Sequence, residues 1–190
     1  MQTIKTQNVF EGFFKVEKVT LKNEAQNNSK EFDLLNIVGR DAVAAVVFNK
    51  DTNELIFTNQ FRYSAFKRLN QQTILEIPAG CIESGENILT SLKRELIEEI
   101  GYSFKDENVF HLSTYFPIPG TSQEMITLFL VIVSNEDKVA EGGGLKEENE
   151  FITIQTIHIN DIQKHIANGD IQDGKTLLGI TQFLLKKQTI

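Results

Sequence analysis

Apolar and β-branched residues recur at short period over 9–21 (VFEGFFKVEKVTL) and over 31–38 (EFDLLNIV), on either side of the polar stretch KNEAQNNSK. That pattern predicts a hairpin. A second pair, AVAAVVF at 42–48 and ELIFTNQF at 54–61, is joined by NKDTN, whose residues tolerate turn dihedrals. Further strands are predicted at 72–77, 109–115 and 125–133. The run MITLFLVIV is apolar on both faces and so belongs inside its sheet. The segment at 134–151, glycine-rich and acidic, predicts a long mobile loop that returns into the period-2 strand FITIQTIHI at 151–159. The period changes to that of an amphipathic helix at 86–100, and two more helices are predicted at 160–168 and 175–187. Asn160 or Asp161 starts the first of these two, and NGD ends it. Strands on both sides of one amphipathic helix, without βαβ alternation, indicate an α+β fold with a mixed sheet covered by helices.

The helix at 86–100 carries the chemistry. At 100° per residue from Glu95, Glu99 lies at about 40° and Glu98 at about 300°, while Leu89, Leu92, Leu96 and Ile100 span roughly 60–140°. The leucine stripe holds the helix to a core, and three glutamates project beside it. Ser84 or Gly85 can start this helix, and Gly101 can end it in a left-handed cap. One reading of the acidic face is simple solvation. Like charges one turn apart, however, cost about 0.2–0.5 kcal/mol each, and hard oxygen donors at i and i+4 are what Mg²⁺ or Mn²⁺ requires.

Composition narrows the partners. The chain has 190 residues, 41% of them hydrophobic, enough for one full core or a core with a small added layer. A formal charge of −7 and the lack of any Lys/Arg run exclude a long nucleic-acid footprint. An anionic ligand would need a cation to mediate. No segment approaches eighteen consecutive apolar residues, and MQTIKTQNVFEGFF lacks a signal-peptide core, so a cytoplasmic protein without membrane contact is expected. The lone Cys81 suits reducing surroundings. His111, His158 and His165 lack metal-ligand spacing and are read as structural or surface residues.

Gly80, Glu86 and the run Arg94-Glu95-Leu96-Ile97-Glu98-Glu99-Ile100-Gly101 stand at the spacing of the Nudix box, a glycine, five residues, a glutamate, seven residues, then R-E-U-x-E-E-x-G-U. Only Tyr102 departs, at a packing position where the family prefers an aliphatic residue. The chain therefore resembles the Nudix hydrolases, which split a nucleoside diphosphate linked to another group with Mg²⁺ or Mn²⁺. The resemblance implies a Nudix fold, a mixed sheet sandwiched between helices (α/β/α) with a small N-terminal antiparallel sheet. It implies that Glu95 and Glu99 are metal ligands, Glu98 a further ligand or a contact to metal-bound water, Arg94 an orienting partner, and Glu86 a supporting residue.

Flanking segments point to a subfamily. LEIPAG resembles the LE-x-PAG segment of the ADP-ribose and nucleotide-sugar pyrophosphatases, which implies that the Ala79 carbonyl is a metal ligand and sets Glu76 on the substrate side. NQFRYSAF resembles their QxR segment, with Arg62 meeting the diphosphate or terminal sugar. FPIPGTSQE resembles their SPG-x-(S/T)-x-E loop, with Ile118 in place of the usual serine and Glu124 near the terminal sugar. GGGLKEENEFI resembles their acidic loop, which implies Glu148 as general base, Glu147 as its competitor, and Glu150 as a further metal ligand. The same resemblance implies a homodimer in which residues 1–40 form a support region and 41–190 the hydrolase domain, with Phe13, Phe14 and Arg40 candidates for contact with the partner chain's substrate. The substrate implied is ADP-ribose or a related nucleoside diphosphate sugar. The stretch GDIQDGKTLLGI is closer to GDP-mannose pyrophosphatases, so GDP-mannose or a UDP-sugar stands as the alternative. A Nudix-fold sensor that binds without cleaving is the reading from another class, disfavoured by the intact box.

Overall fold

A computed structural model describes residues 1–24 and 30–187, which fall into two compact units, Met1–Asp41 with Tyr115–Ile126, and Ala42–Thr114 with Thr127–Ile190. The first is built on an antiparallel three-stranded sheet of β1 (Gln2–Glu11), β2 (Lys15–Lys22) and β3 (Glu31–Val38), in the order β1-β2-β3. Pattern alone predicts one strand over 9–21. Instead the chain turns at 12–14, where the Gly12 N–H bonds the Phe14 carbonyl, and β1 precedes the turn. β1 is exposed along its whole length, so no buried face wrote an alternation into QTIKTQNVFE. The 115–126 segment adds to this unit by a parallel bridge between Ile37 and Ser122, with Ile37 N–H donating to the Thr121 carbonyl at 2.7 Å.

The second unit holds a seven-stranded sheet. Its path is β10 (Ile152–His158), β5 (Glu54–Gln60), β4 (Ala42–Asn49), β9 (Ile126–Val133), β8 (Val109–Tyr115), with β6 (Ile74–Glu76) on β5 and β7 (Ala79–Cys81) on β4. β9 lies inside the sheet and is nearly all buried, as its two-faced apolar run predicts. Helices α1 (Tyr63–Leu69), α2 (Ile88–Ile100), α3 (Ile162–Asn168) and α4 (Gly174–Lys187) complete the unit. The seven-residue α1 and three-residue β7 are too short for a detectable period and were not foreseen.

β4 separates the two helical layers. Val43, Ala45 and Val47 cluster with Leu92, Leu96 and Ile100 of α2. On the other face, Val46 lies against Gly179, and Phe48 meets Phe183 with ring centroids 5.6 Å apart, both partners from α4. Alternate side chains of one strand thus bind opposite helices, which makes the α/β/α arrangement.

Two expectations for α2 change. Its N-cap is Asn87, whose side chain accepts from Thr90 N–H at 2.9 Å, rather than Ser84 or Gly85. Starting the helix there leaves Leu89 in the first turn, 37% exposed, while Ser91 is fully buried. Gly101 ends the helix at φ +78°, as expected, with its N–H on the Ile97 carbonyl and that of Tyr102 on the Leu96 carbonyl.

Candidate active site

The acidic helix is positioned by a close approach that only glycine permits. A Cβ built at Gly80 would lie 1.9–2.2 Å from the carboxylate atoms of Glu95. The bare backbone of β7 lets Glu95 fold over it, and that is a physical reason for glycine at the first position of the motif.

Arg94 organises the carboxylates. Its Nη1 donates to Glu95 Oε1 at 2.7 Å and to Glu98 Oε2 at 3.2 Å. Its Nε donates to Glu86 Oε1 at 3.2 Å, and Nη2 to Glu86 Oε2 and the Cys81 carbonyl, both at 3.0 Å. A planar fork with five donors can serve this many acceptors at once. Glu86 also accepts from the Ser91 hydroxyl. The Arg94 guanidinium, then Ser91, hold the Glu86 carboxyl down to about 2, so it is a fixed anion.

Glu95 and Glu99 behave oppositely. Burial pushes Glu95 up to about 7, against the pull of Arg94, with the charges of Glu98 and Glu150 adding to the rise. Burial likewise pushes Glu99 up to about 8, opposed by the Ala79 N–H at 2.9 Å and raised further by Glu95 and Glu150. Two neighbouring carboxylates whose ionisation is opposed in this way are short of positive charge. Hard oxygens in that state suit a hard divalent cation, whose charge would reverse both shifts. Among the described residues no three acidic, histidine or cysteine side chains converge as a finished cage, so a bound ion would complete its shell with water, main-chain or substrate oxygens.

Glu150 is brought near this pair by a strap. The stretch expected to be one long mobile loop is tethered along much of its length: Gly143 N–H donates to the Glu99 carbonyl at 2.9 Å and Gly144 N–H to the Glu98 carbonyl at 3.0 Å. The Gly101 carbonyl accepts from Val139 and Ala140 N–H, and 135–137 form a capped turn. The three glycines at 142–144 all have positive φ, and that conformation turns the Gly143 and Gly144 N–H groups onto the open carbonyls of the helix end. The Glu150 carboxylate folds back toward the Leu145 N–H at 3.4 Å. Glu147 is exposed, and the side chain of Glu148 lies outside the described part of the structure.

Of the residues expected on the substrate side, Arg62 and Glu76 meet. Arg62 caps α1 and forks onto Glu76, Nε to Oε1 at 3.1 Å and Nη2 to Oε2 at 2.8 Å. That bond raises the Arg62 pKa. Ala79 pairs with Ala44 across β7 and β4. Glu124 belongs to the other compact unit, beside Gly39, where burial and then Asp41 raise its pKa. In that unit Arg40 stacks on Phe13 at 5.3 Å. The three histidines make local contacts: His111 with Thr114, His158 with the Asn160 N–H, and His165 with Asp170.

Sequence reasoning missed Lys175, Asp173, Thr176 and Ser91. Lys175 Nζ lies 3.0 Å from both Glu76 Oε2 and Asp173 Oδ2. The available signal was Asp173, a capping residue three positions before a threonine at a helix start; it accepts from Thr176 N–H at 2.9 Å.

A glycine-backed helix of clustered glutamates, tied by one arginine and set on a mixed sheet between helical layers, defines a class. The chain belongs to the Nudix family of hydrolases, its NUDIX domain spanning residues 39–177. Among known proteins it is 31% identical over 189 residues to the ADP-ribose pyrophosphatase of Bacillus subtilis, an alignment covering 98% of this chain and 94% of the relative. It is 28% identical to the GDP-mannose pyrophosphatase of Cronobacter sakazakii over 77% of this chain and 74% of that one. The fold matches the crystal structure of an ADP compounds hydrolase with a TM-score of 0.75 at 19% identity, covering 98% and 95% of the two chains. Among the described residues no helix is long and apolar enough to cross a membrane.

Proposed function

We propose that this hydrolase cleaves the diphosphate of ADP-ribose or a related nucleoside diphosphate sugar, in a cytoplasmic setting and with Mg²⁺ or Mn²⁺. The observation that carries the reading is the carboxylate cluster itself: Arg94 holds Glu86, Glu95 and Glu98 together, Glu95 lies over the bare Gly80 backbone, and Glu99 is buried on the Ala79 N–H. Glu95, Glu99, Glu98, Glu150 and the Ala79 carbonyl are the groups that would hold the metal, which when bound supplies polarisation of the diphosphate and an acidified water. Arg94 keeps Glu95 and Glu98 oriented while Glu86 balances its charge. Arg62 binds and orients the diphosphate, with Glu76 behind it, and Glu124 takes the terminal sugar. Glu148 accepts the proton of the attacking water. One P–O bond of the diphosphate breaks as the new one forms, releasing a nucleoside monophosphate and a sugar phosphate.

The similarity to an ADP-ribose pyrophosphatase over nearly the whole chain supports ADP-ribose as the first substrate to test. GDP-mannose is the second reading, supported by the C-terminal segment and by the relative of that name. Incubation with ADP-ribose, GDP-mannose, UDP-glucose and diadenosine polyphosphates, with products identified by ³¹P NMR, separates these. Binding without turnover across the panel would reject the enzyme reading in favour of a sensor.

A homodimer is part of the proposal. The first unit exposes Phe10, Leu35 and Ile4 on its sheet at 54%, 58% and 46% and Phe13 in the turn at 82%, an apolar surface that calls for a cover. Sedimentation at micromolar concentration tests it, and a monomer would reject this part.

A further inference from the structure

Lys175 is a buried cation that the proposed reaction has not used. Its side chain is 14% exposed. It bridges Glu76 and Asp173, and Asp173 is itself held by the Thr176 N–H at 2.9 Å and by the Thr176 hydroxyl at 2.6 Å. The same hydroxyl accepts from Ile77 N–H at 2.8 Å, one residue after Glu76. The first turn of α4 is thus pinned to the strand that carries Glu76, and Lys175 has little room to leave.

Glu76 therefore carries two cations of unequal freedom. It is 6% exposed, whereas the Arg62 side chain is 46% exposed. An ionised carboxylate so deeply buried cannot be left without a cation. A guanidinium fork is well matched to a bidentate phosphate oxyanion, yet Arg62 spends that fork on Glu76 in this structure. It can turn to a diphosphate only if another charge stays with Glu76.

We propose that Lys175 is a positioning residue that keeps Glu76 compensated, so that Arg62 can transfer its fork from Glu76 to the substrate diphosphate. This rests on the nucleoside diphosphate reading of the site. Without Lys175, the buried carboxylate would hold Arg62 as its sole cation, and the substrate would lose an arginine that is still present in the chain.

Removing the carboxylate's charge should undo that effect, which gives a test by second-site rescue. KM and kcat are measured for wild type, Lys175→Met, Glu76→Gln and the double variant on the nucleotide sugar that wild type hydrolyses. ADP affinity is measured in parallel by calorimetry in Mg²⁺, which does not depend on turnover. Lys175→Met is expected to weaken ADP binding and raise KM by about tenfold or more, the scale of one charged hydrogen-bonded contact, with a much smaller change in kcat. Adding Glu76→Gln should return both to within about threefold of Glu76→Gln alone. A Lys175 that touched the diphosphate itself would leave the double variant as weak as Lys175→Met, and a merely structural Lys175 would lower Tm without moving KM or ADP affinity; either result overturns the proposal. So does a wild type that binds no ADP. A wild type that binds ADP and shows the rescue, but hydrolyses no nucleotide sugar, overturns the proposed function alone.

Discussion

Replacing Gly80 with alanine isolates the close approach on which the carboxylate cluster depends. The backbone there is not left-handed, so alanine can adopt it and the whole effect is spatial. The new methyl would stand 1.9–2.2 Å from Glu95 carboxylate atoms, far inside contact distance. Glu95 is a flexible side chain and can swing away, so the protein should fold. The swing breaks the 2.7 Å bond from Arg94 to a carboxylate whose side chain is 12% exposed, a loss of about 1–2 kcal/mol. Reduced freedom of the unfolded chain returns about 0.4–1 kcal/mol. A net loss near 1 kcal/mol corresponds to roughly 2–4 °C in Tm for a chain of this size. Catalysis should suffer far more, because a reacting group displaced by an ångström costs on the order of a hundredfold. Circular dichroism melts and Mg²⁺-dependent release of phosphomonoester measure the two effects. Gly85→Ala is the contrast: φ is +83° and no atom lies within 4 Å of the added Cβ, so it should cost about 1 kcal/mol in backbone strain while activity persists. A Gly80→Ala enzyme with kcat/KM within threefold of wild type would refute the assignment of Glu95.

Glu99→Gln should abolish turnover yet stabilise the metal-free protein at pH 8, because the amide keeps the Ala79 bond and removes a buried charge; thermal melts in EDTA check it. The folded pKa of Glu99, about 8, exceeds its unfolded value near 4.5, so the folded state retains a proton that the unfolded state releases. Metal-free stability should therefore be full below about pH 4.5 for this group and be lost progressively up to about pH 8, on the order of 3–5 kcal/mol in total. Added Mg²⁺ should flatten that slope, and a metal-free Tm that rises between pH 5 and 8 would contradict it. Arg94→Ala leaves Glu86, Glu95 and Glu98 without their shared partner and should cost about 2–4 kcal/mol, read from urea midpoints, with activity lost.

Strands that pack against a layer were legible in the sequence, because burial writes an alternation where one face is covered and a continuous apolar run where both are, as in β4 and β9. β8 matches its predicted bounds, and β4, β5, β9 and β10 do so within a residue or two at each end. β1, exposed throughout, and the short α1 and β7 left no period to read. The acidic strap misled for a different reason. Three glycines signal freedom in an isolated chain, but here they meet the open carbonyls at the end of α2, which a local reading cannot see.

Sequence alone placed the acidic face of the helix, since Glu95, Glu98, Glu99, Arg94 and Gly101 lie within two turns of one another and helical geometry sets their faces. It also marked Gly80, although not the reason that glycine is needed there. Tertiary structure decided everything that depends on separation along the chain: Glu95 lying over Gly80, Arg94 reaching Cys81 and Glu86, and Lys175 reaching Glu76. A repeat of 3.6 residues encodes which neighbours on one helix share a face. No such period relates residue 76 to residue 175, and only the packing of α4 on the sheet brings that cation to that carboxylate.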